Sequence, residues 1–189
     1  MLLLGHVIGD FYMQTAKIAE KKEKSFWWVL WHSVLYGVSM LVVGLPVISI
    51  DIAILIGVAA VLHAIIDIVK FLLVRKKKKT SKHVFFTDQL FHLIGVTCLS
   101  YVWTIYQILL CEWTWVKDWF GIVGLSEVLA GKWILGLLLI NKPANICIQH
   151  LIGHYKPKEK DNQFKRDNNA GRAIGAVERI VIACAVVLF

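Results

Sequence analysis

Apolar residues in this chain come in long unbroken runs separated by short, densely charged segments, not in the alternating or one-faced patterns of soluble folds. An α-helix needs roughly 20 residues to cross a hydrocarbon core about 30 Å thick, and apolar runs of that order recur along the sequence. Six helices are predicted: Leu2 to Ala19, Phe26 to Val43, Ile52 to Val74, Val84 to Leu110, Glu127 to Tyr155 and Ala173 to Phe189. The expected fold class is all-α, a polytopic membrane helix bundle in which residues 1–189 form a single transmembrane domain. The apolar run from Ile180 through Phe189 stops without a cap or polar tail, so the natural protein is expected to continue past it.

Composition points the same way, since 58% hydrophobic residues and eight tryptophans in 189 residues are too apolar for a soluble domain. The formal net charge of +8 raises a nucleic-acid partner. That class is set aside because the basic residues form no aromatic-interleaved stripe on any one element. They sit between the apolar runs, in three clusters: Lys17 to Lys24, Arg75 to Lys82, and Lys156 to Arg172, which together hold 16 of the 21 Lys and Arg. The intervening connections, near Pro46 to Asp51 and around Lys117, are nearly free of them. Cytoplasmic loops carry the excess of Lys and Arg, so this alternation predicts a multi-pass inner (plasma) membrane protein with its N-terminus outside.

Trp27, Trp28 and Trp31, and Trp113, Trp115 and Trp119, stand where headgroup-level rings are expected, and Trp113 to Phe120 is a candidate for lying flat in the outer interface. The segment Met1 to Phe11 lacks a basic leader and carries His6 and Asp10, so it is not a signal peptide. Cys98, Cys111, Cys147 and Cys184 show no C-x-x-C spacing and read as small buried hydrophobes. The polar stretch Lys156 to Asn169 reads as a solvated loop.

The chemistry lies in three pairs four residues apart: His6 with Asp10, His63 with Asp67, and Asp88 with His92. That spacing puts both members on one helix face, where an imidazole and a carboxylate can share a metal ion or one can orient the other. His32 adds a further imidazole. Counted at 1.5 Å per residue from the predicted cytoplasmic ends, all of these fall in one layer. The first and third helices both carry H-x3-D, and the second and fourth both carry an aromatic residue followed by His, as in a duplicated helical hairpin. An ionised Asp at the bilayer centre costs about 2.5 to 3.5 kcal/mol even on lenient scales, so carboxylates there mark function more often than filler. Lys142-Pro143 is expected to kink the fifth helix and to present a lysine to the acidic layer or to an anionic group. Gly5 with Gly9, and Gly171 with Gly175, have the spacing of helix-packing sites.

The chain resembles an uncharacterised bacterial integral-membrane family, a domain of unknown function found beside SatD-type proteins. The resemblance is carried by HVIGDFYMQ (His6 to Gln14), HAIIDIVK (His63 to Lys70), DQLFH (Asp88 to His92), NKPAN (Asn141 to Asn145) and GRAIGAVERI (Gly171 to Ile180). It implies a helical membrane protein and brings no established activity. A looser likeness is to membrane-bound proteins described as metal-dependent hydrolases.

The reading these residues favour is a metal site holding Zn²⁺, Mn²⁺ or Fe²⁺, with His6, Asp10, His32, His63, Asp67, Asp88 and His92 as ligands or their supports. Asp10, Asp67, Asp88 and Lys142 would be the catalytic groups of a hydrolase acting on a lipid-linked or phosphorylated substrate reached from the inner leaflet. The expected partners are the bilayer and anionic lipid. A metal-ion or proton transporter and a non-catalytic membrane subunit stand as alternatives.

Overall fold

The computed structural model describes residues 1–74, 82–106, 114–152 and 162–188, and among them every regular element is helical. The elements are α1 (Leu2–Val7), which runs into a π-helical turn (Ile8–Met13), α2 (Ala16–Lys24), α3 (Phe26–Gly44), a 3-10 turn (Leu45–Val47), α4 (Ile50–Val74), α5 (Lys82–Ile105), α6 (Thr114–Val123), α7 (Glu127–Ile152) and α8 (Asn162–Leu188). They fall into two compact units, Met1–Lys132 and Trp133–Phe189.

Several boundaries differ from expectation for local reasons. The first predicted helix is interrupted at Gln14 and Thr15, both extended, and Thr15 Oγ1 accepts the Ile18 N–H at 3.3 Å to start α2 as a separate helix. α8 begins at Asn162, so the second half of the polar stretch read as a loop is helical. Residues 114–123 form α6, a helix of their own. It ends in a Schellman motif: Gly124 takes the left-handed φ of 70°, Gly124 N–H donates to Gly121 O, and Leu125 N–H donates to Phe120 O. α7 continues through Pro143 as one helix. Cys98 is exposed, not buried, while Cys147 and Cys184 are half-buried; Cys111 lies outside the described residues. So do Lys76 to Lys79.

Among the described residues, three helical stretches are long and apolar enough to cross a membrane: Phe26–Val47, Ile50–Val74 and Glu127–Leu151. α5 is long enough but not apolar enough, and Leu2–Met13 is apolar but short.

In the first unit α3 and α4 form an antiparallel pair. α1 packs on α3 and α5, α5 packs on α4, and α2 lies against α3 and α4. The four helices α1, α3, α4 and α5 therefore close into an up-down bundle. In lipid the gain on packing comes from close backbone approach, so small residues decide where helices meet. Gly5 and Gly9 do so: a methyl on Gly5 would overlap Met40 Sδ, and one on Gly9 would come within 2.8 Å of Tyr36 Cδ2. Gly44 against Ile56 and Gly95 against Leu62 serve the α3/α4 and α4/α5 seams in the same way. Gly171 and Gly175 do not: a methyl on Gly171 meets nothing within 4 Å, and one on Gly175 meets Arg179 of its own helix.

One end of the bundle is filled by Leu2, Met40, Ile52, Leu55, Ile56 and Val96, all buried. Its outer surface is apolar too, with Ile54, Val58, Val61, Ile65 and Val69 exposed along α4. His6, Asp10, His32, His63, Asp67, Asp88 and His92 are buried inside the bundle, in a layer below the apolar plug.

Gly9→Leu should therefore pry α1 from α3 and cost about 1 to 3 kcal/mol, the usual range for overpacking. Gly57→Leu, where added atoms meet open space, should leave the thermal unfolding of the detergent-solubilised protein within a degree or two of wild type. Equal destabilisation by the two would remove the packing role assigned to Gly9.

Candidate metal centre

Each helix of the bundle delivers one histidine to the same layer: His6 from α1, His32 from α3, His63 from α4 and His92 from α5. All four are buried. The rings are neighbours, with centroids 5.2 Å apart for His32 and His63, 4.4 Å for His63 and His92, and 5.6 Å for His6 and His92, the last pair stacked. Tyr36 lies flat on His63 at 3.7 Å and 4°, which fixes the plane of that imidazole.

Asp10 and Asp67 complete the layer. Asp10 sits in the π-helical turn, a wider turn that recurs at functional sites, and is 4% exposed. Asp67 is one turn below His63, on the same face of α4. His32 Nε2 stands 3.2 Å from Asp10 Oδ1, 3.2 Å from His63 Nε2 and 3.7 Å from Asp67 Oδ2, and His63 Nε2 is 3.4 Å from Asp67 Oδ2. Ligands held tetrahedrally at bond lengths of 2.0 to 2.1 Å lie about 3.3 Å from one another, so these separations suit a small divalent ion. Two groups have the donors for one: Asp10, His32 and His63, and His63, Asp67 and His92, with the ligand atoms of each group within 4.8 Å of one another.

The tautomer of His92 follows from its partner. Its Nδ1 is 2.9 Å from the Asp88 carbonyl oxygen, which can only accept, so Nδ1 carries the proton and the lone pair is left on Nε2. That Nε2 is buried and unpartnered, as are His6 Nδ1, His32 Nδ1, His63 Nδ1 and Asp67 Oδ1. Orphaned polar atoms are rare in folded proteins, and the open acceptors among these five, His92 Nε2 and Asp67 Oδ1, belong to one donor group and fit an ion that binds there; ligation by His32 or His63 through Nε2 would leave the proton on Nδ1. A water-sized cavity adjoins His63 and His92, walled by Tyr36, Leu62, Ile66 and Leu99.

Of the residues singled out from sequence, Asp10, His32, His63, Asp67 and His92 supply the two donor groups, and His6 stacks beside them. Asp88 belongs to neither group. It orients His92 through its carbonyl and pairs with Lys70 at 2.6 Å. Lys142 belongs to the second unit, where it is half-buried. In that unit Arg179 Nε donates to Ile140 O, next to the Leu139 carbonyl that Pro143 leaves without a helix donor, and Arg179 Nη2 donates to Asn145 Oδ1, both at 2.7 Å.

Three residues at the site escaped the sequence reading. Lys22, one of the first cluster of basic residues, is buried on α2 and donates to Asp67 Oδ2 at 2.7 Å. Gln89 donates to Asp10 Oδ2 at 2.9 Å, and Lys70 supports Asp88. Two of them left a signal: Lys70 follows Asp67 by three, and Gln89 adjoins Asp88.

Residues 1–120 match the family model described as Protein of unknown function (DUF3307), which covers more than half of the chain. The chain belongs to this family. All the histidines and carboxylates of the layer lie inside the matched DUF3307 region, whereas Lys142, Asn145 and Arg179 lie beyond it. No match was found among curated proteins or among solved structures.

The Lys70–Asp88 pair in this DUF3307 domain should behave as a buried ion pair. Asp88→Ala, which strands the lysine, should cost about 3 kcal/mol, and adding Lys70→Met to it should recover much of that loss. A double mutant no more stable than Asp88→Ala would show that the pair is not coupled as drawn.

Proposed function

We propose that the chain is an inner-membrane metalloprotein whose His and Asp layer, set toward the cytoplasmic face, holds a divalent transition metal and activates water for a hydrolytic reaction. The carrying observation is the convergence of imidazole and carboxylate atoms from four helices at ligand-to-ligand spacing, with His92 Nε2 and Asp67 Oδ1 buried and left without partners. Nitrogen and oxygen donors without thiolate favour Zn²⁺, Mn²⁺ or Fe²⁺. One of the two groups that share His63, either Asp10, His32 and His63 or His63, Asp67 and His92, holds the ion, and the Asp88 carbonyl positions His92. A metal here would supply Lewis acidity and lower the pKa of water.

Three protein ligands per group leave a coordination position free, the pattern of catalytic rather than structural sites. The apolar plug of Leu2, Met40, Ile52, Leu55, Ile56 and Val96 above the layer opposes a transporter, which needs a polar route to the far face. Lys22–Asp67 and Lys70–Asp88 are the observation on the side of a non-catalytic subunit with an internally paired layer. The orphaned atoms weigh against it. The proposed topology is six spans with the N-terminus outside, resting on the alternation of basic and non-basic connections.

Purified without chelator, the protein should carry stoichiometric metal by elemental analysis. His63→Ala and Asp67→Ala should each reduce the content severalfold, and Trp133→Phe should leave it unchanged. Folded wild type that neither retains metal nor takes up Zn²⁺ or Mn²⁺ would sink the reading. For topology, accessible cysteines at positions 78 and 160 should label only after the membrane is breached, and one at Asp118 should label in intact cells. The reverse pattern would invert the orientation.

A further inference from the structure

We propose that the metal-loaded centre binds one anionic phosphate group, and that Lys22, carried to the site by α2, is the residue that holds it. The proposal rests on the metal reading above and deepens it by naming the class of substrate group. The first argument is charge. Within the layer, buried Asp10, Asp67 and Asp88 stand against buried Lys22 and half-buried Lys70, which leaves one negative charge when the ligating imidazoles are neutral. A divalent ion turns that into one positive charge. An uncompensated charge away from water is costly, so the loaded centre calls for one more anion.

The second argument is geometric. Lys22 Nζ now donates to Asp67 Oδ2, the same oxygen that stands 3.4 Å from His63 Nε2 and 3.7 Å from His32 Nε2. A metal on Asp67 takes up the carboxylate charge that Lys22 now neutralises. An ammonium has three donors, and those not directed at Asp67 are then available to an oxyanion beside the ion. Lys70 differs, because Asp88 is in neither ligand group and stays with it. Lys22 also approaches from the cytoplasmic end of the bundle, the side away from the apolar plug, so a phosphate arriving there need not pass an apolar layer. Phosphate with one substituent can come free from the cytoplasm or on a lipid of the inner leaflet.

The test uses the full chain in detergent, stripped of metal, loaded with Mn²⁺ and freed of excess ion. Inorganic phosphate titrated against it should show strong paramagnetic broadening of its ³¹P resonance, and the metal-free protein should give none. Lys22→Met should keep its Mn²⁺, since it loses only a cation beside a cation site, but should need about tenfold or more phosphate for equal broadening. Lys22→Arg should stay near wild type. In bilayer discs, phosphatidic acid that relieves the broadening where phosphatidylcholine does not would assign the group to a lipid headgroup; no relief would assign it to free phosphate. No broadening with loaded wild type, or equal broadening with folded Lys22→Met, would overturn the proposal. Failure of wild type to take up Mn²⁺ at all would instead sink the metal reading.

Discussion

The first unit is organised around the carboxylate of Asp67, which has no exposed surface and must find every partner inside the bundle. It finds Lys22 from α2, His63 from its own helix and His32 from α3. A charged oxygen in such surroundings is tolerated only when surrounding groups replace water, and this requirement ties three separate elements to one point. Asp10 repeats the arrangement one helix away, taking His32 and Gln89. His32 therefore bridges the two carboxylates, and the layer acts as a connected network instead of a set of pairs.

Such a network needs its helices close together, and the packing supplies that. Gly5 and Gly9 let α1 approach α3 at Met40 and Tyr36, which brings His6 and Asp10 within reach of His63 and His32. Tyr36 then serves twice, as the surface that Gly9 meets and as the ring that stacks on His63. The π-helical turn at Ile8–Met13 changes the pitch where Asp10 must point inward. Packing and chemistry are thus carried by neighbouring positions on the same helices.

Polarity along the bundle axis is equally uneven. One end is plugged by apolar side chains, the middle holds imidazoles and carboxylates, and lysines of α2 and α4 close the other end. The polar layer is therefore closed off by apolar side chains at one end and bordered by lysines at the other. The second unit has its own polar tie, in which Arg179 joins the proline-containing turn of α7 to α8.

The local parts were legible in the sequence. Helical periodicity, the four-residue spacing of His63 with Asp67, and the small residues at Gly5 and Gly9 are properties of one helix, and a helix face can be read from spacing alone. The all-α class and the shared layer of His and Asp followed from that. Partners were not legible, because they depend on which faces meet after folding. Lys22 lies 45 residues from Asp67, and Gln89 lies 79 from Asp10. Nothing in the first charged cluster distinguishes Lys22 from Lys21 or Lys24 until Thr15 breaks the first helix and α2 turns one lysine inward. The NKPAN and GRAIGAVERI segments were likewise visible as motifs, but that Arg179 reaches Asn145 was fixed only by the docking of α8 on α7. Sequence determined which residues share a helix face; tertiary structure decided which faces confront one another, because those contacts are set by packing between helices far apart in the chain.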